Sequence, residues 1–447
     1  MTDFISPNDP RYFGKDDSET IQNAIAAAEA DGCRKIVIPR YNARRDDTQW
    51  RIPVSIKIPG DFTVVLDNCY MVQETGVYDN MFINSKANDL SCRNLAGEQK
   101  NISLIGVGNV ILDGGVHNHL LEKTNRKYGM PSLWSNNMIL WINVSGIRVE
   151  NLHIRNQRWW AINHIFCRNV VIRNIEFYAI PHVRNMDGID LRIGCNHFEI
   201  ENITGRTGDD VIAMTALKGK GEMERVVEGK DFDIHDVKLR NIKGDPHTCM
   251  VVRLLNHDGN KIYNIDMDTV MDASDYTTKR RTNCVLGIGS AIYFKEQPAA
   301  PGDTHHITAK NLTSRSGVGL NIWRTLHDST IRNVRTFGDN QDGMYFHKGD
   351  FHNVTVENFS YGARQQEMFC SKDLTPENYV GTVLTADDSH GDVTLKNLKV
   401  DKVRQMFRVS GGLQVKVDGM EANAYHILCQ RDEDSSVTIN GEAVNNG

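Results

Sequence analysis

Nine short segments of this chain share one form: a charged residue or tyrosine, then asparagine, then an apolar residue. They are VENLHI at Asn151, IRNIEF at Asn174, IENITG at Asn202, LRNIKG at Asn241, YNIDMD at Asn264, AKNLTS at Asn311, IRNVRT at Asn333, VENFSY at Asn358 and LKNLKV at Asn397. Successive asparagines lie 23, 28, 39, 23, 47, 22, 25 and 39 residues apart. Self-similarity at such a period means stacked supersecondary units. The segments alternate apolar and polar residues, as in FEIENIT and VTVENFS, which is the periodicity of strands. Longer intervals read as one coil plus an insertion, or as nearly two coils. Leucine-rich repeats have similar periods, but their regular leucine framework is missing. The pattern therefore predicts an all-β right-handed parallel β-helix, with inward side chains stacked between coils. Asparagine at a fixed corner would form a ladder in a turn, its amide bonding the backbone of the next coil.

The beginning of the chain departs from this pattern. DDSETIQNAIAAAEADG reads as an amphipathic helix with Asp17 or Ser18 as its cap and Gly32 at its end, and RKIVIP follows as a strand. Residues 15–40 are expected to cap the open end of the stack, as repeat folds require. No Pro/Ser-rich linker interrupts the chain, so a single domain over 1–447 is expected, with residues 216–232 (containing KGKGEMERVVEGKD) as a candidate lid insertion.

Composition narrows the function classes. The formal net charge of −6 argues against nucleic acid as the main partner. No run approaches the roughly 18 apolar residues of a membrane helix. The nine cysteines are scattered, odd in number and never in CxxC pairs, so they read as buried reduced thiols rather than disulfides or a zinc site. The opening MTDFISPNDPRYFGKDDSE lacks the basic-then-apolar layout of a secretory leader. Together these set the cytoplasm as the expected location.

The chemistry concentrates in residues 185–214, NMDGIDLRIGCNHFEIENITGRTGDDVIAM. His164 precedes Asp187 by 23 residues and Asp187 precedes Asp209 by 22, close to the coil period, so the three are expected in one column, with Asp210 adjacent. Coils stack about 4.8 Å apart. Carboxyls that close push their pKa values apart, so that one stays protonated while its neighbours ionise. Glycoside cleavage needs that division, an acid for the leaving oxygen and a base for water. Each piece also has an ordinary reading. Asp-Gly is a common turn, Asp-Asp a solvated turn or calcium site, His164 a wall residue, and Trp159-Trp160 shell packing rather than a sugar platform.

The stretch NQRWWAINHIFCRNVVIRNIEF, continued by residues 185–214, resembles the core of the family 28 glycoside hydrolases, the polygalacturonase group. That family carries Asn-Thr-Asp, Gly-Asp-Asp, Gly-His-Gly and Arg-Ile-Lys motifs, and commonly begins with DDT-x-x-I-Q-x-A-I, which DDSETIQNAI resembles. Its exo-acting branch often has N-x-x-x-W-x-I-H, which residues Asn156 to His164 resemble. The likeness covers roughly residues 14–300. It implies an inverting hydrolase with Asp209 as general acid, Asp187 and Asp210 holding and deprotonating water, and His247 as the family histidine. It also implies substrate contacts from Asn185, Trp160, His164, Tyr293 and Lys295. The Gly-His-Gly motif is here Pro246-His247-Thr248. Tyr293-Phe294-Lys295 stands where the family has Arg-Ile-Lys, keeping the lysine and losing an arginine that would grip a uronate carboxylate. Arg253 is a candidate substitute cation, though a structural arginine by its ordinary reading.

The leading expectation is a hydrolase of small oligosaccharides, uronate-containing ones among them, acting from a chain end, with no cofactor and no metal. A calcium-dependent β-helix lyase, with the three aspartates as metal ligands and Lys295 or Arg253 as base, is an alternative. A transglycosylase or isomerase using the same acids is another. A carbohydrate-binding or structural β-helix is the non-enzymatic alternative.

Overall fold

A computed structural model describes residues 3–116, 134–180, 185–274, 283–290, 298–315, 318–337, 342–362 and 376–447. Among them the chain is almost entirely strand, wound as a right-handed parallel β-helix, with one helix of several turns, α1 (Asp17–Ala30). No helix among the described residues is long and apolar enough to cross a membrane. The chain divides into two compact units: Met1–Ala213 with Lys218–Phe232, and Met214–Leu217 with Asp233–Gly447.

In the first unit, three stacks of parallel strands form the walls. One runs Lys35–Pro39, Phe62–Asp67, Gln99–Val107, Val144–Arg155, Arg168–Tyr178 and Asn196–Thr207. A second runs Ile56–Ile58, Phe82–Asn84, Ile139–Ile142, Ile162–Ile165 and Ile189–Arg192. A third runs Trp50–Ile52, Tyr70–Gln73 and Ile111–Asp113 before joining the end of Val144–Arg155. Alternate residues face inward, so Ile36, Val64, Leu104, Val149, Ile172 and Ile200 are sealed within the stack. Cys69, Cys167 and Cys195 are buried thiols, and burial pushes the first two up to about 12.

The cap helix α1 begins one residue earlier than its sequence suggests. Asp16 is its N-cap, accepting the Glu19 amide at 2.8 Å, while Asp17 is a buried carboxylate held by Arg44 and the Arg51 amide. Two acids adjoin here. The one with extended backbone can accept an amide of the first turn, and the other points inward to a guanidinium. Ile21, Ala24, Ile25 and Ala28 are fully buried. The helix packs on Lys35–Pro39, Trp50–Ile52 and Ile56–Ile58, the first strand of each stack, and so closes that end of the core.

The second unit continues the same construction with longer strands. Ile234–Pro246, Ile262–Asp272, Thr304–Ser314, Val318–Thr336, Met344–Tyr361, His390–Val409 and Leu413–Arg431 pair in succession. A second stack runs through Met250–Asn256, Cys284–Ile288 and the starts of Val318–Thr336 and Met344–Tyr361 to Thr382–Asp387.

All nine repeated asparagines have left-handed backbone, with φ between 54° and 61°. Each kinks its strand by one residue, a conformation asparagine tolerates better than other side chains. The ladder bonds differ from expectation. Asn174 Nδ2 donates to Asn151 Oδ1 at 2.8 Å and Asn202 Nδ2 to Asn174 Oδ1 at 3.0 Å. In the second unit Asn333 reaches Asn311, Asn358 reaches Asn333, and Asn397 reaches Asn358, at 2.8–3.1 Å. Of these, only the Asn151 rung bonds backbone as expected, its Nδ2 donating to the Gly106 carbonyl at 3.1 Å; the others named bond each other, because identical kinks one coil apart superimpose identical side chains.

Candidate active site

Three successive turns of the first unit lie against one another. The Ala161 and Ile162 amides donate to the Asp187 and Gly188 carbonyls at 3.0 Å each, and the Gly188 and Ile189 amides to the Asp210 and Val211 carbonyls at 3.0 and 2.9 Å. The Gly208 amide closes on the Met186 carbonyl at 2.9 Å. This approach requires glycine at 188, where a Cβ would lie 2.5 Å from the Val211 carbonyl oxygen. Asn185 sits at φ 61°, and its amide donates to Asp209 Oδ2 at 3.1 Å. Asp209 Oδ1 accepts the Asp210 amide at 3.0 Å, and its carbonyl accepts the Thr207 hydroxyl at 2.6 Å. The acid-bearing turns are thus pinned by their own backbone.

The turns gather four carboxyls. Asp187, Asp190 and Asp210 are 5, 1 and 2% exposed, while Asp209 is half-buried. Burial, first, and then the charges of Asp190, Asp209 and Asp210 push the Asp187 carboxyl well above the usual carboxylate range, and Arg192 only partly opposes them. Its Oδ1 is buried and makes no hydrogen bond among the described residues. Burial and like charge both favour the protonated form of such a carboxyl.

Asp190 and Arg192 alternate with Ile189 and Leu191, so both project from the outer face of their strand. The Arg192 guanidinium lies 3.9 Å over the Trp160 ring and 3.7 Å from Glu222. Neither Arg192 nor Asp190 was singled out from sequence as a site residue, although i, i+2 alternation along IDLR carries the signal. This local cation stands beside the acids in the place sought at Arg253.

His164 is corrected. The register pairs Ile162 with Ile189 and His164 with Leu191, an advance of 27 residues rather than 23. The coil holds extra residues before Asp187, so equal spacing in sequence did not mean equal height. His164 faces the interior, fully buried, edge-on to Phe198 at 5.1 Å, with Nδ1 3.0 Å from the Asp190 carbonyl oxygen. Burial pushes its imidazole down to about 4, so it is a neutral wall residue out of reach of a sugar. The column with Asp187 is formed by Asp210, as the amide contacts of Gly188 and Ile189 show.

Trp160 is 4% exposed and stacks on Trp159, ring centroids 5.9 Å apart, with Trp134 on its other side at 6.0 Å. With Val227 and Phe232 these indoles cover Ile83, Leu140, Ile142 and Ile165, so the outer face of three consecutive strands is dry. Residues 218–232 are strapped over this face. Glu228 N donates to the Arg93 carbonyl at 2.8 Å, Lys230 Nζ pairs with Glu98 at 2.7 Å, and Gly194 N donates to the Phe232 carbonyl at 3.1 Å. The expected lid is a packed cover.

His247 and Arg253 belong to the second unit, both half-buried. His247 lies in the bend after Ile234–Pro246, and Arg253 on Met250–Asn256 in register with Gly287. Thr248 adopts φ 61°, so the backbone keeps a glycine-like conformation where the sequence has threonine. Tyr293 and Lys295 lie outside the described residues.

The family model of Glycosyl hydrolases family 28 matches residues 51–230, the segment that carries all four acids and the cover. The structure of the family 28 exopolygalacturonase of Yersinia enterocolitica is similar to this chain at 13% identity, covering 98% of this chain and 77% of that one, with a TM-score of 0.53. PfbA, a surface adhesin of Streptococcus pneumoniae, is similar at 13% identity over 94% of this chain and 91% of its own, with a TM-score of 0.57. At such identities these likenesses establish the fold alone. No curated protein sequence matches the chain.

Proposed function

We propose, from the match of residues 51–230 to the family model of Glycosyl hydrolases family 28, that the chain is a glycoside hydrolase, an inverting enzyme that removes sugars from the ends of small, uronate-containing oligosaccharides. The observation that carries the reading is the carboxyl cluster, in which burial and then neighbouring negative charge favour the protonated form of Asp187. In the proposed cycle the stored proton passes to Asp209, the most exposed of the four, which donates it to the leaving glycosidic oxygen. Asp187 and Asp210, then both ionised, hold the attacking water and take its proton. The water enters from the face opposite the leaving group, which inverts the anomeric centre.

End-wise action is supported by the cover. The outer face of Phe82–Asn84, Ile139–Ile142 and Ile162–Ile165 is filled with tryptophan and aliphatic side chains, so a sugar chain cannot extend over those coils. The acids therefore stand at a closed end. A uronate is supported by Arg192, a cation at that end, and by the similarity to an exopolygalacturonase. Arg253, Tyr293, Lys295 and Asn185 keep their proposed substrate roles, His247 its proposed catalytic role, and the cytoplasm its place as the proposed location.

The test is a screen of purified protein against aryl glycosides and uronate oligosaccharides, with and without chelator, following the anomer released. Hydrolysis with inversion, single sugars as first products and no effect of chelator are expected. An unsaturated product lost on chelation would replace this reading with the lyase.

A further inference from the structure

Histidine recurs on one outer ridge of the second unit. His305, His327 and His352 pair in register across three consecutive coils. His327 Nε2 lies 2.7 Å from Asp350 Oδ2, and His352 Nε2 lies 3.0 Å from Asp350 Oδ1. One carboxylate thus receives the same ring nitrogen from two imidazoles, set edge to face at 5.0 Å. The strand register shifts between Trp323 and Thr325 and again between Phe351 and Val354, so irregularities bracket the cluster. Such bulges re-aim side chains. The other nitrogen of His352, Nδ1, lies 3.4 Å from Asp392 Oδ1, while Asp392 Oδ2 is fixed by the Asn353 amide at 3.1 Å.

We propose that His327, Asp350 and His352 bind a divalent transition metal, Zn²⁺ by the chemistry of the set, and so staple two adjacent coils of the second unit. The three donor atoms lie within 4.8 Å of one another. A tetrahedral zinc with bonds of roughly 2.0–2.1 Å needs donors roughly 3.3 Å apart, a small rotation from the present contacts. Two imidazole nitrogens and a carboxylate oxygen are a usual set for zinc, with water in the fourth position. The Asp392 contact is what a metal-bound histidine uses on its remote nitrogen, where a carboxylate fixes ring and tautomer. Side-chain exposures of 19, 18 and 50% leave the ion an entry path. Surface His–Asp pairs account for the close contacts, but a surface pair contributes little to stability. It gives no reason for three carboxylate contacts to converge on two rings from three coils.

Full-length protein without a histidine tag, stripped by chelator, is titrated with ZnCl₂ by calorimetry, and melting is followed with and without the ion. One equivalent per chain and a rise in melting temperature are expected. His327→Ala with His352→Ala should weaken binding about 100-fold or more. Asp392→Asn, which touches no metal, should weaken it about 10-fold, and His153→Ala in the first unit should leave it unchanged. Absence of stoichiometric binding overturns the proposal, as does undiminished affinity in the double variant or loss in His153→Ala. Should the double variant lose its strand circular dichroism, Asp392→Asn decides: undiminished affinity there overturns the site.

Discussion

The asparagine corner and the acid turns of the first unit use the same device with opposite results. Both place one polar residue type at the same height in successive coils. Asn151 donates to the Gly106 carbonyl, Asn174 to Asn151 and Asn202 to Asn174, so every added rung satisfies its neighbour. At Asp187 and Asp210 the stacked groups are carboxyls, which accept but, when ionised, cannot donate. Burial, and then the stacked and neighbouring charges, raise the Asp187 carboxyl well above the usual range, and one of its buried oxygens makes no hydrogen bond among the described residues. An amide has a donor and an acceptor and can propagate; a carboxylate has only acceptors and accumulates tension. Polar stacking supports the fold where the rungs match and creates reactivity where they do not.

The largest expected effect separates chemistry from folding. Asp209→Asn should lower turnover of unactivated glycosides by roughly 10²–10⁴-fold, the usual contribution of a general acid. Its melting temperature should hold or rise. A glycoside with an acidic phenol leaving group should be much less affected, since it needs no proton. Equal losses on both substrates would remove Asp209 from that role.

Asp187→Asn tests the stored proton through the pH dependence of stability. The folded carboxyl binds its proton more tightly than the unfolded one, whose value is about 3.9. Below that value folded and unfolded chains are equally protonated. As pH rises the unfolded chain releases its proton first, and stability falls until the folded pKa is passed. Wild-type melting temperature should therefore drop from about pH 4 towards neutrality more steeply than that of the variant. Parallel curves would mean that Asp187 carries no such load.

Effects in the ladder should be smaller. Asn333→Ala loses the bonds to Asn311 and Asn358 and places alanine at φ 55°. A cost of about 2 kcal/mol is expected, with Asn333→Gly retaining part of it, read from denaturant melts with activity unchanged. Smallest is Asn174→Asp, which brings an acid into the amide ladder. Ionised, it cannot donate to Asn151, at about 1 kcal/mol. Because its protonated form can donate, the loss should appear only above about pH 4. An equal loss at lower pH would show that the ladder is not held by that donor.

Much of this was readable from the residues. The nine asparagines gave the coil, and every one occupies the same kinked conformation. DDSETIQNAI announced the helix over the end of the stack, though adjacent acids blurred which of them caps it. Asp187, Asp209 and Asp210 were marked by carboxyls gathered around a tight glycine turn. What failed was height. Residue counts do not reveal which corner of a coil absorbs extra residues, and so His164 was placed beside Asp187 when it faces the interior. The cover over the indoles was hidden for a related reason. KGKGEMERVVEGKD is mostly polar, and only Val227 and the following Phe232 hold it to the apolar face. Arg192 is placed on the outer face by the alternation of IDLR, but that alternation alone does not distinguish it from an ordinary outward-facing cation.

Asn397 bonds Asn358 across 39 residues as Asn333 bonds Asn311 across 22, at 3.1 and 2.9 Å. The rail of amides ignores how much chain is spent elsewhere on the circuit. Loops can therefore be lengthened or traded at one corner while the pitch at another stays fixed, which lets a single scaffold host different rims around a groove without being refolded.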